Sequence, residues 1–274
     1  MQLLKENETI EAVSEYGSIW KVLAGEFPNV DVRDREGLSI SWADSTFPFW
    51  NAIFLTEQLA SETSLRKRIQ QAATYMRAKH QWGLIYICEE YLGSLAKENL
   101  PSVMAEEGFE FTLPVFGMAG DILPVRASKH PDLKIERVTE EAHLQAYSDV
   151  NCAAYGFPPE WGRNGLGGAK LWRETAHTYL GYKNNHPVSA ASVVVHNEYL
   201  YLALVATRPE AQKKGFAEAM VRHVLHKAHE ATRLKRTLLH ATAAGYPVYQ
   251  RVGYHKTAKF LAYRLKGRVG AEAV

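Results

Sequence analysis

V-A-T-R-P-E-A-Q-K-K-G-F-A, Val205 to Ala217, decides how this chain is read. It follows an apolar run, Tyr199 to Val205, and opens an amphipathic helix. A strand, a short basic glycine loop and a helix start, in that order, make an anion seat. The first helical N–H groups have no intrahelical partner, and the helix dipole adds positive potential there. Gly215 lets the backbone approach an anion closely, and Lys213 and Lys214 add charge. The loop lacks the spacing of a P-loop and of a dinucleotide-binding turn. It reads as a seat for the pyrophosphate of a nucleotide-like cofactor.

The flanking sequence supplies the elements around this seat. Met220, Val221, Val224, Leu225 and Ala228 recur at helical spacing, which predicts a helix over Ala217–Thr232 with one buried face. Thr237–Ala241 predicts a buried strand, and Ala243–Arg251 a short helix starting near Gly245 and stopped by Gly253. Tyr254–Leu265 predicts one or two strands. Upstream, Leu133–Val138 reads as a strand, Glu140–Tyr155 as a helix, Gly156–Gly168 as a loop and Ala169–Ala176 as a helix. His177–Lys183, Val188–His196 and Tyr199–Thr207 read as strands joined by turns at Asn184-Asn185 and Asn197-Glu198, an antiparallel meander.

Two motifs lie inside this order. Gln212–Ala217 fits Q/R-x-x-G-x-G/A, and Tyr249-Gln-Arg-Val-Gly-Tyr254 fits Y-x-x-x-G-F with tyrosine in the last place. Together they resemble the GNAT superfamily of N-acyltransferases, from about Pro131 to the chain end. The resemblance implies an α/β (α+β) fold, a mixed, mostly antiparallel central sheet flanked by helices. It implies acetyl-CoA as cofactor, with Val205, Ala206 and Thr207 along the pantetheine arm and Gln212, Lys213, Lys214, Gly215, Phe216 and Ala217 around the pyrophosphate. Thr242 stands where many members carry an asparagine that holds the same arm. Tyr249 takes the place of the residue that protonates the departing thiolate. A phenol of pKa ~10 stays protonated at neutral pH beside a thiol of pKa ~8.5.

The acceptor end and the base are less legible. The Ala154–Gly168 segment is expected to shape the acceptor site, with Tyr155, Phe157 and Trp161 as an apolar or amine-stacking wall. Glu160, His196 and Glu198 are candidate bases, and a relayed water serves equally.

The first half carries strands at Gly37–Trp42 and Ala52–Thr56, a helix over Glu57–Lys79, a β-rich run at Gly83–Glu89 and a helix over Ala96–Glu107. Gly108-Phe109, followed by Phe111–Met118, mirrors Gly253-Tyr254 and the strands after it, the mark of a degenerate internal repeat. The segment T-E-Q-L-A-S-E-T before its helix holds acids where an anion loop needs cations. The expected organisation is two tandem GNAT-like domains, 1–125 without a cofactor loop and 126–274 with one, joined through Gly117–Pro131.

Composition narrows the partners. Thirty-two basic against 30 acidic residues leave a net charge of +2, which gives no reason to expect nucleic acid. An uninterrupted apolar run of about 18 residues, the minimum for a spanning helix, is absent, and the N-terminus does not resemble a signal peptide. Cys88 and Cys152 are the sole cysteines and suggest neither disulfides nor zinc; His223, His226 and His229 read as a solvated helix face. The expectation is a cytoplasmic monomer or homodimer that acetylates a small-molecule or peptide amine and contacts no membrane. The alternative is a non-catalytic acyl-CoA sensor or partner-binding module, and longer acyl donors stay open.

Overall fold

The computed structural model describes residues 2–126, 130–166 and 170–267. The chain forms two compact units, Met1–Gly117 with Lys256–Val274, and Met118–His255.

The first unit holds α1 (Gln2–Gly25), β1 (Asp31–Arg35), β2 (Leu38–Trp42), β3 (Asn51–Leu55), α2 (Glu62–Arg77), β4 (Leu84–Cys88), α3 (Ser94–Glu106) and β5 (Phe109–Gly120), which ends just past the boundary. Its sheet runs β1-β2-β3-β4, then the last strand of the chain, then β5. Residues of β2, β3 and β4 are buried throughout, as strands covered on both faces must be. Period-two alternation divides them between two cores. Ile53, Leu55, Ile85 and Ile87 pack with Leu65, Ile69 and Met76 of α2 and Leu100 and Val103 of α3. Ala52, Phe54, Leu84 and Tyr86 pack with Ala12, Val13 and Tyr16 of α1. The Tyr16 ring lies 4.7 to 5.1 Å from those of Trp20, Phe54, Tyr86 and Phe260. Sequence reading assigned no element to α1, whose buried Ala12, Val13, Tyr16, Ile19 and Leu23 nevertheless keep helical spacing.

The second unit contains β6 (Lys134–Arg137), α4 (Glu141–Tyr155), α5 (Pro159–Leu166), a π-helical turn at Leu171–Thr175, β7 (His177–Lys183), β8 (His186–His196), β9 (Tyr199–Thr207), α6 (Phe216–Thr232), β10 (Thr237–Thr242) and α7 (Tyr246–Val252). Its strands run β10-β9-β8-β7-β6. The meander β6–β9 is antiparallel, and β10 joins β9 in parallel. Both hairpin turns, Asn184-Asn185 and Asn197-Glu198, take positive φ at each central residue. That geometry matches strand twist, and asparagine tolerates it. Inside, the Tyr147 hydroxyl meets Ser192 Oγ at 2.7 Å, which donates to Thr178 Oγ1 at 3.1 Å, pinning α4 to β8 and β7.

Two expectations change. The Gly156–Gly168 segment is not a loop. Gly156 at φ 70° ends α4, and Pro159 and Glu160 open α5. Gly162 serves close helix packing, because a Cβ there would overlap Cys152 Sγ and Ser148 Oγ of α4. Gly167, Gly168 and Ala169, at the junction of the expected loop and helix, lie outside the described residues, as do residues 127–129 of the expected linker.

The chain end also behaves differently. The last strand, β11 (His255–Leu265), lies in the first unit, between β4 and β5. It pairs antiparallel with β4, Phe260 opposite Cys88. The compact units therefore divide at 117/118 and 255/256, where the sequence suggested 125/126. The reason lies in β11's own alternation: Ala258, Phe260 and Ala262 enter one core of the first unit, Tyr263 and Leu265 the other.

Candidate active site

β9 and β10 pair only at Thr237 with Leu200 and Leu238 with Tyr201. Beyond Tyr201 the strands part, and a cleft of about 560 Å³ opens in the second unit. A β-bulge lies on β9 just past this point. Ala190 pairs with Ala206 but Ser192 with Ala203, so two steps on β8 face three on β9. Leu204 absorbs the extra residue at φ 49°, a conformation that a leucine adopts only where its surroundings impose it. Ser189 Oγ holds the bulge by donating to the Ala206 carbonyl at 2.9 Å and meeting Thr207 Oγ1 at 2.8 Å.

The glycine loop follows directly. A single 3-10 turn, Pro209–Ala211, leads to Lys213 at φ 60° and Gly215 at φ 82°, the N-cap of α6. Consecutive N–H groups near left-handed residues form a concave anion cradle, and the dipole of the 17-residue α6 points at it. Gln212 Nε2 donates to the Thr207 carbonyl at 3.2 Å, tying the loop to β9. Lys214 folds back, its Nζ donating to Glu210 O at 2.8 Å. His130, which sequence reading did not single out, places Nε2 2.9 Å from Lys214 O and its ring edge-on to Phe216. Glu218, an acid in the first turn of α6, sits between Arg251 and Arg222. Burial pushes its pKa up, but hydrogen bonds from Arg251 and Arg222 outweigh it and hold the carboxyl below its usual value.

The far wall is α7. Thr242 Oγ1 and carbonyl both accept from Gly245 N–H, at 3.3 and 3.1 Å, forming the turn into the helix. Tyr249 is 8% exposed, and burial, reinforced by the nearby Tyr155 and Tyr254 hydroxyls, holds its pKa well above the ordinary tyrosine value. Gly245 leaves room for it: a Cβ there would stand 3.0 Å from the Tyr249 ring. Gly253, at φ 125°, caps α7, with its N–H and that of Tyr254 on the Tyr249 carbonyl. The Y-x-x-x-G-Y pattern thus sets the tyrosine by its backbone as well as its ring.

Val205, Thr207, Gln212, Lys213, Gly215, Phe216, Ala217, Thr242, Tyr249 and Tyr155 all line this cleft. Ala206 is buried, its carbonyl taken by Ser189, and Lys214 turns to Glu210. Phe157 and Trp161 are outside the wall and continue from Tyr155 as a tilted stack with centroids 6.2 and 5.7 Å apart. Burial pushes the Tyr155 pKa up to about 12. Glu160, His196 and Glu198 are not wall residues. His240 is one, and sequence reading missed it. It shares a strand face with Thr242, and period-two spacing back from Thr242 was the available signal. Among the described residues no group of three or more His, Cys, Asp or Glu is placed to hold a metal.

Residues 168–261 match the acetyltransferase (GNAT) domain. This part of the chain carries the likeness to GNAT acetyltransferase domains. The fold likeness extends further. A GCN5-related N-acetyltransferase from Kribbella flavida aligns with a TM-score of 0.67 at 13% identity, over 93% of this chain and 96% of that one. Another from Sphaerobacter thermophilus gives 0.61 at 12% identity, over 86% and 78%. A functionally unknown conserved protein from Staphylococcus epidermidis gives 0.61 at 14% identity, over 89% and 96%. No curated protein matches the chain significantly. No helix of the described residues is long and apolar enough to cross a membrane.

The first unit repeats an order found later in the chain, β3–α2–β4–α3–β5 beside β9–α6–β10–α7–β11. At the matching place it is shut. Leu59 bridges Leu92 in parallel beyond β3 and β4, with Leu59 N–H on Tyr91 O and Gly93 N–H on Leu59 O, both at 2.8 Å. Gly93 permits this closure, since a Cβ there would lie 3.2 Å from Ala60 Cα. The start of α2 is satisfied internally by the Ser61–Ser64 capping box.

Proposed function

We propose that the second unit transfers an acetyl group from acetyl-CoA to a primary amine of a small molecule or peptide. The observation that carries this reading is the run of one cleft from the Lys213–Gly215 cradle, along the bulged edge of β9, to Tyr249. An anion seat at one end and a buried proton donor at the other fit a long ligand with a pyrophosphate and a thioester.

Acetyl-CoA supplies the activated acyl thioester when bound. The N–H groups opening α6 would hold the pyrophosphate, with Lys213 and Arg251 at the wall adding positive charge. Val205 lies past the last β9–β10 pair, and backbone polar groups there would orient the pantetheine amides. Tyr249 holds a proton on Oη for the departing sulfur. Burial keeps the phenol protonated at neutral pH, as a proton donor must be. The Tyr155–Phe157–Trp161 stack gives the acceptor an aromatic approach to the cleft.

The test is thiol release from acetyl-CoA across a panel of primary amines, with Tyr249→Phe in parallel. Transfer by the wild type, slowed by the variant at unchanged acetyl-CoA affinity, supports the enzyme. Tight binding of acetyl-CoA with no transfer to any amine supports the sensor reading instead.

A further inference from the structure

The peptide that joins Lys214 to Gly215 is gripped by a histidine outside the cleft. His130 stands shortly before β6, and its Nε2 lies 2.9 Å from the Lys214 carbonyl oxygen. A carbonyl only accepts, so this nitrogen carries the proton. The other ring nitrogen agrees. Nδ1 accepts from the Asp132 N–H at 3.3 Å, which a protonated Nδ1 could not do. The two contacts together select the Nε2–H tautomer. Packing fixes the ring as well: it stands edge-on to Phe216 with centroids 4.7 Å apart, and Phe216 is buried.

In a planar trans peptide the C=O and the N–H point in opposite directions. The Lys214 carbonyl faces His130, so the Gly215 N–H faces away from it, toward the cleft that Gly215 lines. Among the described residues no backbone carbonyl takes that N–H. Glycine at φ 82° makes a flip of this peptide cheap, because no Cβ resists it. A flipped peptide would present a carbonyl oxygen where the cradle needs a donor.

We propose that His130 is a positioning residue for the pyrophosphate of the cofactor: it holds the Lys214–Gly215 peptide with its N–H toward the anion. This deepens the acetyl-CoA reading and rests on it. His130 touches no reacting atom, and its effect falls on binding. A peptide already turned toward the ligand spares the cost of ordering it when the ligand arrives.

The experiment compares full-length wild type, His130→Leu and His130→Gln. Leucine keeps an apolar contact with Phe216 and cannot donate; glutamine restores a donor. Acetyl-CoA binding is measured by calorimetry. Binding of S-acetylpantetheine, which lacks the pyrophosphate, is measured by NMR titration. Loss of one preorganising hydrogen bond predicts an acetyl-CoA Kd raised ~10-fold in His130→Leu, with S-acetylpantetheine unaffected and His130→Gln recovering most of the loss. Equal acetyl-CoA affinity in wild type and His130→Leu overturns the proposal and leaves the cofactor site standing. So does equal weakening of both ligands, or a glutamine variant as weak as the leucine one. A wild type that binds no acetyl-CoA at millimolar concentration removes both readings. Nitrogen-15 NMR of the wild-type His130 ring needs no variant: the Nε2–H tautomer is expected, and an Nδ1–H tautomer overturns the proposal.

Discussion

Tyr249 is held by three local devices: the Gly245 gap against its ring, the Gly253 cap on its carbonyl, and burial that keeps its proton on. Replacing it by phenylalanine removes the donor and leaves the shape. We expect kcat to fall by ~10²-fold, with acetyl-CoA Kd little changed, measured by thiol release and calorimetry. Gly245→Ala should displace the ring without removing the hydroxyl, lowering kcat while the fold persists by circular dichroism; an unaffected kcat would deny the gap a role. Tyr249 was legible because its motif is six consecutive residues. His240 was not, because its place in the cleft depends on where two strands separate, a contact between distant segments. Ala206 illustrates the converse. It belongs to the same local motif as Val205 and Thr207, but strand alternation turns it away from the cleft.

At the scale of elements, the meander, the helices and both asparagine turns followed from period and turn chemistry. The bulge did not, since register is set between strands and leaves no local signature. It can be tested through Ser189. Ser189→Ala leaves the Ala206 carbonyl without its partner, a cost of about 1–3 kcal/mol by denaturant titration, and acetyl-CoA Kd should rise with it. Unchanged affinity would show that the bulge holds without the serine. The α5 segment was misread because its glycines look like loop residues, although Gly162 serves to bring α5 onto α4. In the first unit, β1 is tied to α2 by Asp31. Hydrogen bonds from Arg33 above all, then from Tyr75 and Lys79, hold its pKa down at about 2. A depressed carboxylate stabilises the fold above its unfolded pKa, and that stability is lost as pH falls through the folded one. Wild-type stability should therefore decline between about pH 4 and 2, and Asp31→Asn should flatten that part of the profile in urea titrations.

At the scale of the molecule, the tandem element order was readable from the repeated glycine-aromatic pairs. The return of β11 to the first unit was not, because nothing local says which sheet a two-sided apolar strand will join. Phe260→Ala should cost the first unit about 3–5 kcal/mol, read by the fluorescence of Trp20, Trp42 and Trp50, which lie in it. The Leu59–Leu92 bridge and the α2 capping box leave the first unit no counterpart of the β9–β10 fork, so one chain should offer one cofactor site. Calorimetric titration of the full-length chain with acetyl-CoA, alongside Gly215→Val, tests this most directly. The prediction is a single saturable site per chain, weakened at least ~10-fold by the valine, whose Cβ the positive φ of that position does not accept. Two sites per chain, or no binding at millimolar acetyl-CoA, would contradict it.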